Sequence, residues 1–140
     1  MSDQAAGLRA WHQRQHAAVS ATPLLVLGAP ADDELERALA ALPSPGGRGW
    51  RPVTPAAAAD LAAVRHRLLW FDVVHSEVAE VYRALKRLAA AEPGLPVLLL
   101  VSAEPDPVTA QVLDNLMTTA RHFLGLTLMR EPQRWLTPRR

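Results

Sequence analysis

The sequence predicts a three-layer, doubly wound α/β domain, with five parallel strands in the order 2-1-3-4-5 between two layers of helices. Three observations carry this. Short Leu- and Val-rich runs alternate with segments whose apolar residues recur at helical spacing. The runs at 24–27, 67–74 and 96–101 are apolar almost throughout rather than at every second residue, the mark of strands covered on both faces. The connections are short, and right-handed crossovers then leave this order as the simplest arrangement.

Each element has a local reason. Residues 4–19 read as an amphipathic helix, with Leu8, Trp11, Gln15, Ala18 and Val19 on one face and Arg9, His12, Arg14 and His16 around the rest. Thr22-Pro23 breaks that helix, making 1–22 an N-terminal extension, and the first strand ends at Gly28. Asp32 is placed to cap a helix over 33–42, whose early acids suit the helix dipole. Residues 43–49 (Pro-Ser-Pro-Gly-Gly-Arg-Gly) form a loop, Trp50–Val53 a weak second strand, and Thr54-Pro55 opens a short Ala-rich helix over 56–65. The third strand spans 67–74, and Ser76 is placed to cap a helix over 77–91. The fourth strand spans 96–101. Asp106-Pro107 then opens a long helix with Leu113, Leu116, Met117, Ala120 and Leu124 on one face, stopped by Gly125. Residues 126–129 form the fifth strand. After Met129 few residues remain and two are prolines, so no helix is expected there, only a basic tail over 131–140. The N-terminal helix then either takes the vacant place beside the first helix or packs on a second chain.

The 140 residues suit one domain, and a 49% hydrophobic share is enough for a core without staples. There is no cysteine, which excludes disulfides, thiolate catalysis and Cys-rich zinc sites. A net charge of +1 makes nucleic acid an unexpected partner. No run approaches the roughly 20 apolar residues of a membrane span, so no membrane insertion is expected. The opening Met1-Ser-Asp-Gln lacks the pattern of a secretory signal, so a cytoplasmic location is expected.

The chemistry-bearing residues converge on the middle of the chain. Asp72 ends Leu-Leu-Trp-Phe-Asp, and Ser102 ends Leu-Pro-Val-Leu-Leu-Leu-Val-Ser. In a parallel sheet both emerge at one edge, where such folds place ligands. The Gly-rich loop at 45–49 lacks Gly-Lys-Ser/Thr and follows a helix, so it is a connector rather than a phosphate loop. Gly28-Ala-Pro-Ala is no dinucleotide fingerprint, because the proline removes an amide. His12 and His16 lie four apart but have no third ligand nearby, and His75 has no marked nucleophile; neither a catalytic nor a metal site is assigned.

Over about residues 23–132 the chain resembles a response-regulator receiver domain, itself a flavodoxin-like fold. The resemblance rests on the Asp72 strand, Tyr82-Arg-Ala-Leu85 in the following helix, and the Ser102 strand. It implies Asp72 as phosphoacceptor and Ser102 as a hydrogen-bonding partner of the phosphoryl group. It also implies an acid pair for Mg²⁺ after the first strand and a lysine before the proline after the fifth. The chain departs from that pattern. Asp32 and Asp33 come several positions late, and Glu131 precedes Pro132 with Arg130 one place off. The expectation is therefore a pseudo-receiver: a non-catalytic protein–protein interaction domain of a bacterial-type regulatory or assembly system. It needs no cofactor, and Mg²⁺ only if Asp72 is phosphorylated. A protein partner, including a second copy, is expected on a surface of Leu113, Leu116, Met117, Leu128 and Trp135. The alternatives are a working phosphoacceptor with Asp72 and Mg²⁺, and a small-molecule or nucleotide-binding domain using a crevice between the loops at 28–33 and 74–76.

Overall fold

The computed structural model describes residues 21–54 and 58–137. The helix expected over 4–19, the opening of the helix at 55–57 and the last three tail residues lie outside them. All strand pairings are parallel, in the order β2-β1-β3-β4-β5, consistent with a flavodoxin-like α/β fold. The strands are β1 (Thr22–Leu27), β2 (Trp50–Val53), β3 (His66–Phe71), β4 (Val97–Val101) and β5 (Leu128–Met129). The helices are α1 (Asp32–Ala41), α2 (Ala58–Ala63), α3 (Val78–Ala91), α4 (Pro107–Thr119) and α5 (Pro132–Leu136).

Successive strand residues feed opposite cores, as a two-residue period demands. Leu25, Leu27, Leu69, Phe71 and Leu99 pack with Leu61 of α2, Val81, Leu85 and Leu88 of α3, and Leu113 and Leu116 of α4. Leu24, Val26, Leu68, Trp70 and Leu98 face the other way, toward Leu35 and Leu39 of α1 and Trp135 of α5. Both faces are covered, which is why the strands are apolar throughout.

Four local expectations are corrected. Ala31, not Asp32, is the N-cap residue of α1; Glu34 reaches back and its Oε1 accepts from the Ala31 amide at 3.4 Å. β3 stops at Phe71 rather than 74, because the Asp72 side chain turns the backbone there. Ser76 does not cap α3, whose N-cap is Glu77; its Oγ accepts from the Asp72 amide at 2.8 Å. A helix does follow β5: α5 is five residues long and opens on Pro132, where a missing N–H costs nothing. By contrast Asp106 caps α4 as expected, its Oδ1 accepting from the Thr109 amide at 2.7 Å. The end of α4 widens into a π-turn over Ala120–Leu124 and closes on Gly125 in the left-handed region.

The described part of the expected basic tail, residues 131–137, is thus anchored. Trp135 is buried and lies 5.3 Å from Trp50 and 5.7 Å from His66, ring centre to ring centre. Trp50 in turn donates from Nε1 to the Pro43 carbonyl at 3.1 Å. Burial, and then the neighbouring Arg65, lower the His66 pKa below its ordinary 6.5. The unfolded chain therefore takes up a proton at higher pH than the folded one. Stability from the neutral ring is present above pH 6.5 and is lost as pH falls toward the depressed folded value. The urea midpoint is expected to fall between about pH 7 and pH 5, and the fall should be smaller in His66→Phe. An equal fall in both proteins would put the titration elsewhere.

Candidate functional site

β3 and β4 run in register to Phe71 opposite Val101, so Asp72 and Ser102 leave the sheet side by side. Both are spent on local structure. The Ser102 amide donates to the Phe71 carbonyl at 2.9 Å, and its Oγ accepts from the Val73 amide at 2.9 Å. Asp72 Oδ1 accepts from the Val74 amide at 2.9 Å and the His75 amide at 3.1 Å. Asp72 Oδ2 lies 3.2 Å from His75 Nδ1, which must be the donor because a carboxylate only accepts. The Val74 amide first, then the His75 ring and amide, hold the Asp72 carboxyl below the usual carboxylate range. The anion is thus already stabilised by the turn it makes, an Asx turn closed by Ser76.

Among the described residues no hydrogen bond or ion pair joins the remaining expected site residues to this carboxylate. Asp32 and Asp33 are exposed in the first turn of α1, and Asp33 sits 3.4 Å from Arg37. Arg130 is exposed after β5. Among the described residues no three His, Asp or Glu side chains gather as a metal site would require.

The expected interface residues are relocated as well. Leu113, Leu116, Leu128 and Trp135 are buried in the two cores, and Met117 is half-buried against one of them. The stripe on α4 faces the sheet, and Trp135 closes the other side. Among the described residues the large apolar side chains that do face solvent are Val74, Val78, Val108 and Phe123. Val74 follows β3 and Val108 begins the helix after β4, so both belong to the rim where Asp72 and Ser102 emerge.

The Asp72 rim opens into a groove of about 840 Å³. Gly28 and Ala29 border it at the end of β1, Asp72, His75 and Ser76 at the end of β3, and Arg83, Ala84 and Arg87 along α3. It overlaps the crevice expected between the loops at 28–33 and 74–76 only at Gly28, Ala29, His75 and Ser76; Asp32, Asp33 and Val74 do not line it, and its long wall is α3. The α3 wall is legible in the sequence as a helix but not as a wall, because its partner residues Gly28 and Ala29 lie two strands earlier in the chain.

Comparison of the chain with family models, with characterised proteins and with solved structures yields no match. No helix among the described residues is long and apolar enough to cross a membrane.

Proposed function

We propose that this chain is a pseudo-receiver: a cytoplasmic, non-catalytic interaction domain whose strand-end rim docks a protein partner. One observation carries the reading. The Asp72 carboxylate and the Ser102 hydroxyl, the pair that a receiver uses for a phosphoryl group, both hold the turn after β3. The acids that would supply Mg²⁺ stand apart on α1, where Asp33 pairs with Arg37. A phosphoryl group would bring about two negative charges to a carboxylate whose acceptor sites already serve backbone amides. The partner half of the reading is supported by Val74 at 78% exposure and Val108 at 75%, apolar side chains on the same rim.

The test is incubation of the full chain with acetyl phosphate and Mg²⁺, followed by intact-mass measurement. No phosphoryl adduct is expected. An adduct formed by the wild type and lost in Asp72→Asn would establish a working phosphoacceptor instead.

A further inference from the structure

We propose that the groove beside Asp72 binds a phosphate monoester of a hydroxylated sugar, the class of nucleotides and sugar phosphates, with its phosphate on Arg83, Lys86 and Arg87. This goes beyond the interaction reading and stands on different observations.

The first is position. The strand order reverses between β1 and β3, and the groove lies at the ends of these two strands, lined by Gly28 and Ala29 on one side and Asp72, His75 and Ser76 on the other. Open α/β sheets place ligands in the crevice at that switch point. The groove volume, about 840 Å³, falls within the range of small-molecule sites.

The second is charge. Arg83, Lys86 and Arg87 line the groove, are exposed, and enter no ion pair among the described residues. Arg83 only donates back to the Ala79 carbonyl of its own helix. The helix dipole does not account for them: it favours cations in the last turn of α3, which carries none. Nor does helical pairing, since Glu80 stands three residues before Arg83 without bonding it. Two guanidinium forks and an ammonium on neighbouring turns suit a phosphate, whose oxygens accept bidentate bonds.

The third is polarity along the groove. Glu77 and Glu80 line its other end, about 15 Å and about 10 Å from Arg87 by helical rise, with Glu80 one turn before Arg83. Carboxylates there accept from hydroxyls and repel a second anion, so the anionic end of the ligand is directed to the arginines. The start of α1, the other place where an anion could settle, is closed to it by Asp32, Asp33 and Glu34. Between the charged ends, Leu69, Val81 and Ala84 give an apolar floor.

The test uses AMP, ribose 5-phosphate and adenosine with the full chain, read by thermal shift and by saturation-transfer NMR. AMP or ribose 5-phosphate is expected to bind at least tenfold more tightly than adenosine, a loss of about 1.4 kcal/mol on removing the phosphate. The pair of phosphates reports whether the base contributes. Arg83→Gln/Arg87→Gln is expected to abolish binding with the circular-dichroism spectrum unchanged, because both side chains are exposed. Where that variant is poorly folded, Lys86→Gln alone is expected to weaken AMP severalfold. Binding of neither phosphate, equal binding of adenosine, or binding unchanged in these variants overturns the site. None of those results bears on phosphoryl uptake by Asp72, which acetyl phosphate tests separately.

Discussion

Replacing Arg67 with leucine is expected to destabilise the fold by about 3–5 kcal/mol, measured as a fall in the urea midpoint at unchanged slope. Arg67 lies on β3, opposite Leu25 and Val97, and is fully buried. Its guanidinium donates to the carbonyls of Glu92 and Leu95, which belong to the turn between α3 and β4. Those carbonyls follow the end of a helix, where partners for backbone oxygens run out and the dipole is negative. Burial lowers the pKa of the side chain to about 10, opposed by Glu92, so it remains a cation at neutral pH. Its Nε has no partner among the described residues, part of the cost of placing it there. Buried ion pairs are often replaceable by apolar side chains without loss, but that exchange needs both partners to go. Here the acceptors are backbone carbonyls and stay, so leucine leaves two part-buried carbonyls without their donor, at about 1–3 kcal/mol each. Arg67→Lys should lose less than leucine but not recover the wild type, because one ammonium has to serve two carbonyls that a planar fork spans. A leucine variant as stable as the wild type would show that the turn at 92–95 finds other donors.

Arg67 also marks where sequence reasoning stops. In the sequence Arg67 is only the first residue of a near-continuously apolar strand over 67–74. Nothing local marks it as buried. Its burial depends on a turn some 25 residues later in the chain, whose carbonyls it serves. The same limit explains Trp135. Two prolines and four cations after Met129 predict a basic tail without a helix, yet Trp50 and His66 leave a place for one indole, and a five-residue helix delivers it. What was legible was whatever repeats locally. Continuous apolar strands gave the covered parallel sheet, and Asp106-Pro107 gave the cap of α4. The placing of Asp72 beside Ser102 followed from topology alone, since parallel neighbours end together. Their hydrogen bonds did not, because two acceptor groups and several loop amides within reach can be matched in more than one way. The burial of Leu113, Leu116, Leu128 and Trp135 within the chain was not legible for a related reason: an apolar stripe at helical spacing marks a face that is covered, without saying whether another chain or the sheet beneath covers it.

Gly28→Ala is the second large expected effect, and Gly125→Ala isolates its origin. Both glycines have positive φ, +100° at Gly28 and +68° at Gly125. A side chain at such a φ is strained, at about 1–3 kcal/mol. Around Gly125 an added Cβ meets nothing within 4 Å, so strain alone is expected there. At Gly28 the Cβ would stand 2.5 Å from the Trp70 carbonyl oxygen and 3.3 Å from the Trp70 Cβ. That oxygen is backbone of β3, and it cannot turn aside without moving the strand. Overpacking of this kind adds about 1–3 kcal/mol, so Gly28→Ala should cost roughly twice Gly125→Ala in urea unfolding. The two sites differ in function too. Gly28 borders the groove, and its contact with Trp70 sets how closely the end of β1 approaches the end of β3. Any shift that makes room for a methyl group spreads the switch point, so Gly28→Ala should also weaken AMP, whereas Gly125→Ala, at the end of α4, should not. Equal losses of stability in the two variants would mean that the backbone after β1 yields freely, and that the groove is not held open by this contact.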